Sequence, residues 1–440
     1  MEHFDVVIVG TGAAATSVAY PCRAAGKSVA LIDDRPFGGT CVNRGCDPKK
    51  VLVGVADTVD RARRMTGYGA SGDVCIDWPA LMRFKRTFTD PVPLSREKSF
   101  RDEGMEAIHG VARFRDAETL EVNGRLLAAT HFVLAAGASP APLGIPGEEL
   151  LATSDDFLEL GSLPEKIVFI GGGYIAFEFA HLARRAGAEV TILHRGKRAL
   201  EHFDADLVSQ LVDWTRECGI EVHLETPVDR ITEGVVHSGD RSFPASLAVH
   251  AAGRVPPLER LNIAAAGIAG DRRGVAVNEY LQSPTNPRAY AAGDYSASGG
   301  PALTPVAGYE GRVVAANILE GNHVKTDYRA IPSVVFTLPP LASLGMTEEQ
   351  ARKQGIDYGC NAANTAGWYS SRRLNEKSSG YKVLVDKSSK KLLGAHIFGD
   401  GSEELINVFA LALRSGLTVD EIRSVLYAYP THGSNIQYML

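Results

Sequence analysis

Phe4 to Val9 is an apolar, β-branched run, FDVVIV, of the kind that forms a buried parallel strand. Gly10-x-Gly12-x-x-Ala15 follows and opens a helix. Ser28 to Ile32 reads as the next strand, closed by Asp33. The order recurs further along the chain. Ile167 to Ile170 is a strand, Gly171-x-Gly173-x-x-Ala176 opens a helix, and Val190 to Leu193 is the next strand. Each unit therefore reads as βαβ, with a glycine-rich turn between the first strand and the helix.

The residue types in these turns suit a dinucleotide. Gly10 permits a tight turn, Gly12 lets the backbone approach a pyrophosphate at the helix N-terminus, and Ala15 allows close helix packing. Asp33, at the end of the second strand, is placed to accept bonds from ribose hydroxyls. The second unit differs at the equivalent place. Its strand is followed by His194-Arg195-Gly196-Lys197-Arg198 instead of an acid. Arg195, Lys197 and Arg198 suit a ribose 2′-phosphate, which marks this unit as NADPH-binding. Two dinucleotide units imply two dinucleotides, and the economical pairing is NADPH as hydride donor with FAD as relay.

Composition narrows the picture further. The chain has 440 residues, 45% hydrophobic and 22% charged, enough for two or three globular domains. A net charge of −6 without a long basic run argues against nucleic acid as a partner. No run reaches the ~18 apolar residues of a membrane span, so none is expected. A strand starting at Phe4 leaves no room for a signal peptide, and the expected location is cytoplasmic. The six cysteines, Cys22, Cys41, Cys46, Cys75, Cys218 and Cys360, are too sparse for a disulfide scaffold, and no metal site is expected.

Two of the six sit five positions apart in FGGTCVNRGCDPKK, residues 37–50. An α-helix does not bring i and i+5 onto one face, so a Cys41–Cys46 contact needs a broken turn, for which Gly38, Gly39 and Gly45 supply freedom. Near a helix N-terminus a thiolate is favoured over a thiol.

GGTCVNRGCDPKK resembles the redox loop of the flavin-dependent pyridine nucleotide–disulfide oxidoreductases, the family of glutathione reductase, dihydrolipoamide dehydrogenase and mercuric reductase. The resemblance covers nearly the whole chain. HFVLAAGASPAPLGIPG (131–147), with Gly137, resembles the segment leading out of the family's FAD domain. AAGRVPP (251–257), with Gly253 and Arg254, resembles the return segment, with Pro257 where Asn is usual. TNPRAYAAGD (285–294), with Gly293, resembles the second FAD strand and implies that Asp294 binds the ribityl chain. LTPVAGYEGR (303–312), with Thr304, Pro305 and Ala307, resembles the helix whose N-terminus faces the flavin pyrimidine end. IPSVVFTLPPLASLGMTEEQA (331–351) resembles the start of the interface domain.

The resemblance implies an α/β fold of two Rossmann-like dinucleotide-binding domains plus a C-terminal α+β dimerisation domain. FAD binding falls to 1–150 and 265–325, NADPH binding to 151–264 and the subunit interface to 330–440. It implies a homodimer in which each active site borrows the partner's C-terminal segment, and a small-molecule acceptor. Gly39 and Thr40 join the FAD contacts. Cys46 becomes the flavin-side sulfur and Cys41 the interchange sulfur. Family members place a flavin-side lysine three or four residues after the second cysteine, paired with a glutamate at the position of Glu178. Here both Lys49 and Lys50 are lysine, and the sequence does not choose between them.

Three departures bear on the acceptor. Asp47 stands where the family mostly has an apolar residue, and a carboxylate there should raise a neighbouring thiol's pKa unless Arg44 or a lysine offsets it. Tyr20 stands where glutathione reductases use an arginine for a glutathione carboxylate, although Arg312, matching another arginine of that site, is kept. The family's C-terminal His and Glu, which shuttle a proton to the leaving thiol, are replaced in YAYPTHGSNIQYML by Tyr429 and Ser434. Free tyrosine ionises near pH 10, so it is a poor shuttle at neutral pH, and His432 is the candidate substitute base. Mercuric reductases also carry Tyr at the His position, together with a C-terminal cysteine pair and an N-terminal metal-binding module, and no cysteine follows Cys360 here. The expected activity is reduction of a disulfide or thiol-ligated acceptor other than glutathione disulfide. The alternatives are direct reduction of metal ions, quinones or oxygen, and a slow redox-sensing flavoprotein.

Overall fold

The computed structural model describes residues 1–440. The chain forms two compact units. The first comprises Met1–Lys49, Arg83–Ala141 and Gly253–Tyr328; the second comprises Lys50–Met82, Pro142–Ala252 and Arg329–Leu440.

The first unit is built on a seven-stranded sheet. Its parallel part runs Glu106–His109, Val29–Asp33, Glu2–Val9, Arg125–Leu134 and Ala289–Ala291. Thr119–Val122 and Arg113–Phe114 extend it antiparallel. The apolar run of the first strand is explained by burial on both faces. Val6 and Ile8 enter a core with Ala15, Val18 and Val314, while Val7 and Val9 enter another with Phe114, Phe132 and Tyr295. The strand starts at Glu2, two residues earlier than its apolar run, because Glu2 and His3 extend the ladder beside Leu127 and Ala128. Glu2 is held there by Arg125, an ion pair at 2.6 Å that a hydropathy pattern does not register. The next strand runs Val29–Asp33, one residue later than the sequence suggests.

Helix Ala13–Ala24 lies against helix Thr304–Glu320 at a glycine contact. A Cβ on Gly311 would stand 2.4 Å from the Ala14 carbonyl oxygen, so only glycine permits this approach. Strands Ser139–Pro140 and Arg254–Val255, from the two segments read as leaving and returning, pair antiparallel within this unit.

The second unit holds a four-stranded parallel sheet in the order Ile220–His223, Glu189–Leu193, Lys166–Ile170, Leu247–His250. A three-stranded antiparallel sheet spans Arg230–Thr232, Val235–Ser238 and Arg241–Pro244. A five-stranded antiparallel sheet follows, in the order Ser333–Val335, Leu341–Gly345, Leu392–Phe398, Gly380–Asp386, Tyr358–Asn364, with helix Ser402–Ser415 packed on it. Lys382, 4% exposed, is satisfied by Asp204 at 3.1 Å and Glu348 at 3.0 Å, so a buried cation joins the parallel-sheet region to the antiparallel sheet inside this unit. No helix is long and apolar enough to cross a membrane.

Candidate active site

In the first unit the glycine turn at Gly10 is sterically enforced. Its φ is +110°, and a Cβ would lie 2.2 Å from the Ala135 carbonyl oxygen. Gly12 is the N-cap of helix Ala13–Ala24 and supplies no side-chain cap, so the first-turn N–H groups are left to a ligand or water. Gly39, at φ +76°, passes so close to Gly12 that a Cβ would stand 2.4 Å from the Gly12 Cα. The redox loop is thereby clamped onto the turn. Thr11 completes the clamp: its hydroxyl donates to Asp33 Oδ2 at 2.6 Å and accepts from the Gly38 N–H at 3.0 Å. Burial pushes the Asp33 carboxyl up, and the Thr11 hydroxyl and Arg35 N–H pull it back down. Thr11 is a site residue that the motif left unread, because a variable position inside GxG carries no signal of its own.

The cysteines lie at the break the loop requires. Helix Gly39–Arg44 stops at Gly45, and helix Cys46–Arg64 starts at Cys46. A Cβ on Gly45 would be 3.0 Å from the Thr40 carbonyl oxygen and 3.2 Å from Cys41 Cα, so space dictates glycine there. Both cysteines are free thiols and hydrogen-bond to each other. The bond from Cys41 pulls the Cys46 thiol down to about 6 against the cost of burial; the Thr304 hydroxyl and the Lys49 charge add to the pull, and Asp47 opposes it. The same bond keeps the proton on Cys41, far above the ordinary thiol range, with burial and the charges of Cys46 and Asp47 acting in the same sense. Cys46 Sγ lies 3.4 Å from Thr304 Oγ1, at the first residue of a helix without a side-chain cap. The sulfur therefore faces a positive helix end in addition to heading its own helix.

Asp294 is half-buried; burial raises its carboxyl and the Arg254 charge lowers it. Gly293, at φ +67°, packs against Ala307, where a Cβ would meet Ala307 Cβ at 3.2 Å. Gly137 and Gly253 take φ of +68° and +108°. Tyr20 donates or accepts with Ser99 Oγ at 2.7 Å and packs on Phe100, so it is a structural side chain of this unit. Cys22 is fully buried and its thiol is pushed up to about 11 by burial, which makes it an inert core residue.

In the second unit Gly171 repeats the enforced turn, with φ +131° and a Cβ position 2.1 Å from the Ala251 carbonyl oxygen. Gly173 heads helix Tyr174–Arg185 without a side-chain cap, and Ala176 is buried beneath it. Arg195 and Lys197 are exposed. Arg198 is held by Glu349 at 3.1 Å and by the Glu201 carbonyl, so the cations presented outward are Arg195 and Lys197. Glu178 is 3% exposed and accepts the Phe336 N–H at 2.8 Å. Lys50 is exposed and places Nζ 4.0 Å from the Phe336 ring centre, while Lys49 is buried and acts on Cys46. At the C-terminal end Tyr429 is 79% exposed. Ser434 is buried and donates to the Thr431 carbonyl at 2.6 Å. His432 packs on Gly401, whose Cβ would meet its ring at 3.0 Å; burial and the Arg373 charge lower its pKa and Asp400 opposes them.

Residues 4–311 match the pyridine nucleotide-disulphide oxidoreductase family, and residues 331–440 match its dimerisation domain. The chain belongs to that family. Relatives include a mercuric reductase of Lysinibacillus sphaericus, 31% identical over 99% of this chain and 82% of that protein. A glutathione reductase of Pisum sativum is 31% identical over 97% of this chain and 80% of that protein. Among solved structures, the Cu(II) complex of the HOCl-induced flavoprotein disulfide reductase RclA from Escherichia coli has a TM-score of 0.90 at 28% identity, covering 100% of this chain and 99% of that one.

As a pyridine nucleotide-disulphide oxidoreductase the protein is a FAD-containing, NAD(P)H-dependent enzyme and a homodimer through its dimerisation domain. The first unit fits a flavin dinucleotide: two uncapped helix ends, a close-approach glycine turn and two carboxylates, Asp33 and Asp294, that burial pushes toward hydrogen bonding with a partner. The second unit offers the same turn and an outward basic loop.

The two thiols titrate as a pair, the first proton leaving near pH 6. Alkylation of the reduced protein is therefore expected to fall off as pH drops through about 6. Lys49→Ala should move that midpoint up by roughly one unit, the size of a lost neighbouring charge, and Lys50→Ala should not. Equal midpoints in wild type and Lys49→Ala would remove Lys49 from the site.

Proposed function

We propose that this chain is an NADPH-dependent reductase whose Cys41–Cys46 pair delivers two electrons to a disulfide or thiol-ligated acceptor other than glutathione disulfide. FAD, when bound, supplies the two-electron relay between NADPH and the pair. In this reading residues 1–150 and 265–325 hold FAD, 151–264 hold NADPH and 330–440 make the subunit contact, with the C-terminal segment completing the partner's site. Gly10, Gly12, Ala15, Asp33, Gly39, Thr40, Asp294 and the Thr304 helix end hold the flavin dinucleotide, with Lys49 as the flavin-side lysine. The observation that carries the proposal is the opposed pair of thiols, Cys46 ionised near neutral pH and Cys41 holding its proton.

The chemistry of the pair balances without an outside reagent. Cys41, after losing its proton, attacks one sulfur of the acceptor disulfide, and the other leaves as a thiolate that takes a proton. Cys46 thiolate then attacks Cys41 Sγ, closing the Cys41–Cys46 disulfide and expelling the second acceptor sulfur as a thiolate, which takes its proton from water. Two electrons leave the pair and two acceptor thiols form. A buried Cys22 and a structural Tyr20 give glutathione no evident anchor on helix Ala13–Ala24.

A second reading takes a soft metal ion as acceptor. The relatives named as mercuric reductases and the Cu(II) complex of RclA favour it, since soft thiolates suit such ions. Anaerobic NADPH consumption with lipoamide, glutathione disulfide, thiol-bound Hg²⁺, Cu²⁺ and a quinone separates the readings. Turnover with the quinone alone would sink both.

NADPH is expected to be preferred over NADH through Arg195 and Lys197. Arg195→Glu should narrow that preference about tenfold or more, since a hydrogen bond to a charged group contributes about 1.5–3 kcal/mol. The ratio of kcat/KM for the two nucleotides measures it, and an unchanged ratio would assign the loop to solvent.

A further inference from the structure

Asp47 is a charged member of the redox loop to which the reaction above gives no part. It lies in the first turn of helix Cys46–Arg64, exposed, with Oδ1 3.9 Å from Cys41 Sγ. Lys49 is two residues further along the same helix, and a spacing of two places it on the opposite side of the helix. Lys49 is buried, at 8% exposure, and its charge acts on Cys46. The first turns of the helix thus carry a buried cation, Lys49, that acts on Cys46, an open anion, Asp47, beside Cys41, and an exposed cation, Lys50, whose Nζ lies over the Phe336 ring.

We propose that Asp47 makes the mouth of the cysteine pair selective for charge, turning away anionic acceptors and admitting neutral or cationic ones. The inference rests on the reading of Cys41 as the sulfur that meets the acceptor. An anion that brings its reacting atom to Cys41 Sγ comes within contact distance of a carboxylate. An acceptor charge brought within about 4 Å of this carboxylate is disfavoured roughly fivefold even at the dielectric of bulk water; a less polar mouth enlarges the penalty, and a charge further from the reacting atom reduces it. The penalty shrinks with added salt, because the carboxylate is open to solvent. Glutathione disulfide, which carries net negative charge, would be disfavoured on this ground independently of Tyr20 and Tyr429. Cystamine, thiol-free metal cations and neutral disulfides would not.

Asp47 also helps keep Cys41 protonated, so the test must separate charge selection from thiol ionisation. Paired alkylation does so. Iodoacetamide and iodoacetate react in the same way, the Cys41 thiolate displacing iodide, and differ in the reagent's charge. Any change in the fraction of thiolate cancels in the ratio of their rates. The holoenzyme is reduced with dithiothreitol, freed of it, treated with each reagent, and the label at Cys41 counted by mass spectrometry. In the wild type the iodoacetamide-to-iodoacetate ratio at Cys41 should exceed that of a free small thiol by about fivefold or more at low salt. Asp47→Asn should bring it close to the free-thiol ratio, and Asp47→Glu should keep most of the discrimination. A ratio that is the same in wild type and Asp47→Asn overturns the assignment. Turnover gives the matching readout: kcat/KM for dianionic dithiobis(nitrobenzoate) should rise in Asp47→Asn while that for dicationic cystamine falls. Substituting NADPH for dithiothreitol keeps the two readings apart. If NADPH leaves Cys41 unlabelled while dithiothreitol exposes it, the proposed function fails, and the charge ratio still decides the role of Asp47.

Discussion

Cys41→Ser is expected to abolish turnover with disulfides and thiol-bound metal ions, by ~10³-fold or more, as loss of an attacking nucleophile does. Cys46→Ser should do the same, for a different reason. Without Cys46 the mixed disulfide on Cys41 has no neighbouring sulfur to resolve it, so one acceptor is captured and none is released. The two variants therefore separate by mass: Cys46→Ser should carry acceptor thiol on Cys41 after one cycle, and Cys41→Ser should carry none. Neither substitution touches the turn at Gly10 and Gly12 or the clamp through Thr11, so FAD content should match the wild type. NADPH oxidation with a quinone should also persist in both. Should either variant retain wild-type disulfide turnover, the cysteines would only tune the flavin, and the enzyme would be a direct flavin reductase.

What the sequence reveals of this site depends on how local the constraint is. The enforced turns at Gly10 and Gly171 are legible because a strand, a glycine and a helix meet within a few residues. The break between Cys41 and Cys46 is legible for the same reason, since helix geometry forbids i,i+5 contact and the loop supplies Gly45. Contacts that cross long stretches of chain are not legible. Thr304 comes to Cys46 over 258 residues, and its motif points to the flavin without hinting at the sulfur. Arg198 meets Glu349 over 151 residues, which removes it from the outward basic loop that its neighbours form. Lys49 and Lys50 are indistinguishable as residue types, and the structure divides them by burial.

The C-terminal segment is where sequence and structure together sharpen an expectation. The family's proton shuttle needs a His at the position of Tyr429 and a Glu at that of Ser434. Tyr429 is 79% exposed within its own chain, so exchanging it should cost the fold of that chain little, within about 0.5 kcal/mol. Ser434 is buried and bonded to Thr431, so a glutamate there would bury a carboxylate and disturb the turn. The informative substitution is therefore Tyr429→His alone. Positioned proton transfer typically contributes ~10²–10⁴ in rate, and an imidazole without its orienting carboxylate recovers part of that. Disulfide turnover in Tyr429→His should rise by about tenfold to a hundredfold, with a new dependence on a group titrating near pH 6.5. Turnover with thiol-bound Hg²⁺ should change little, because thiolate exchange at a soft metal needs no proton on the leaving group. The measurement is steady-state kcat against pH with lipoamide, beside the rate of NADPH consumption in a single turnover, which should stay the same. If the wild type already reduces lipoamide at ~10² s⁻¹, the upper range of ordinary enzymes, the change to tyrosine carries no functional cost. His432→Asn then becomes the decisive variant. Burial and the Arg373 charge keep His432 neutral and available as a base, and a wild-type rate that collapses on its removal would identify it as the replacement.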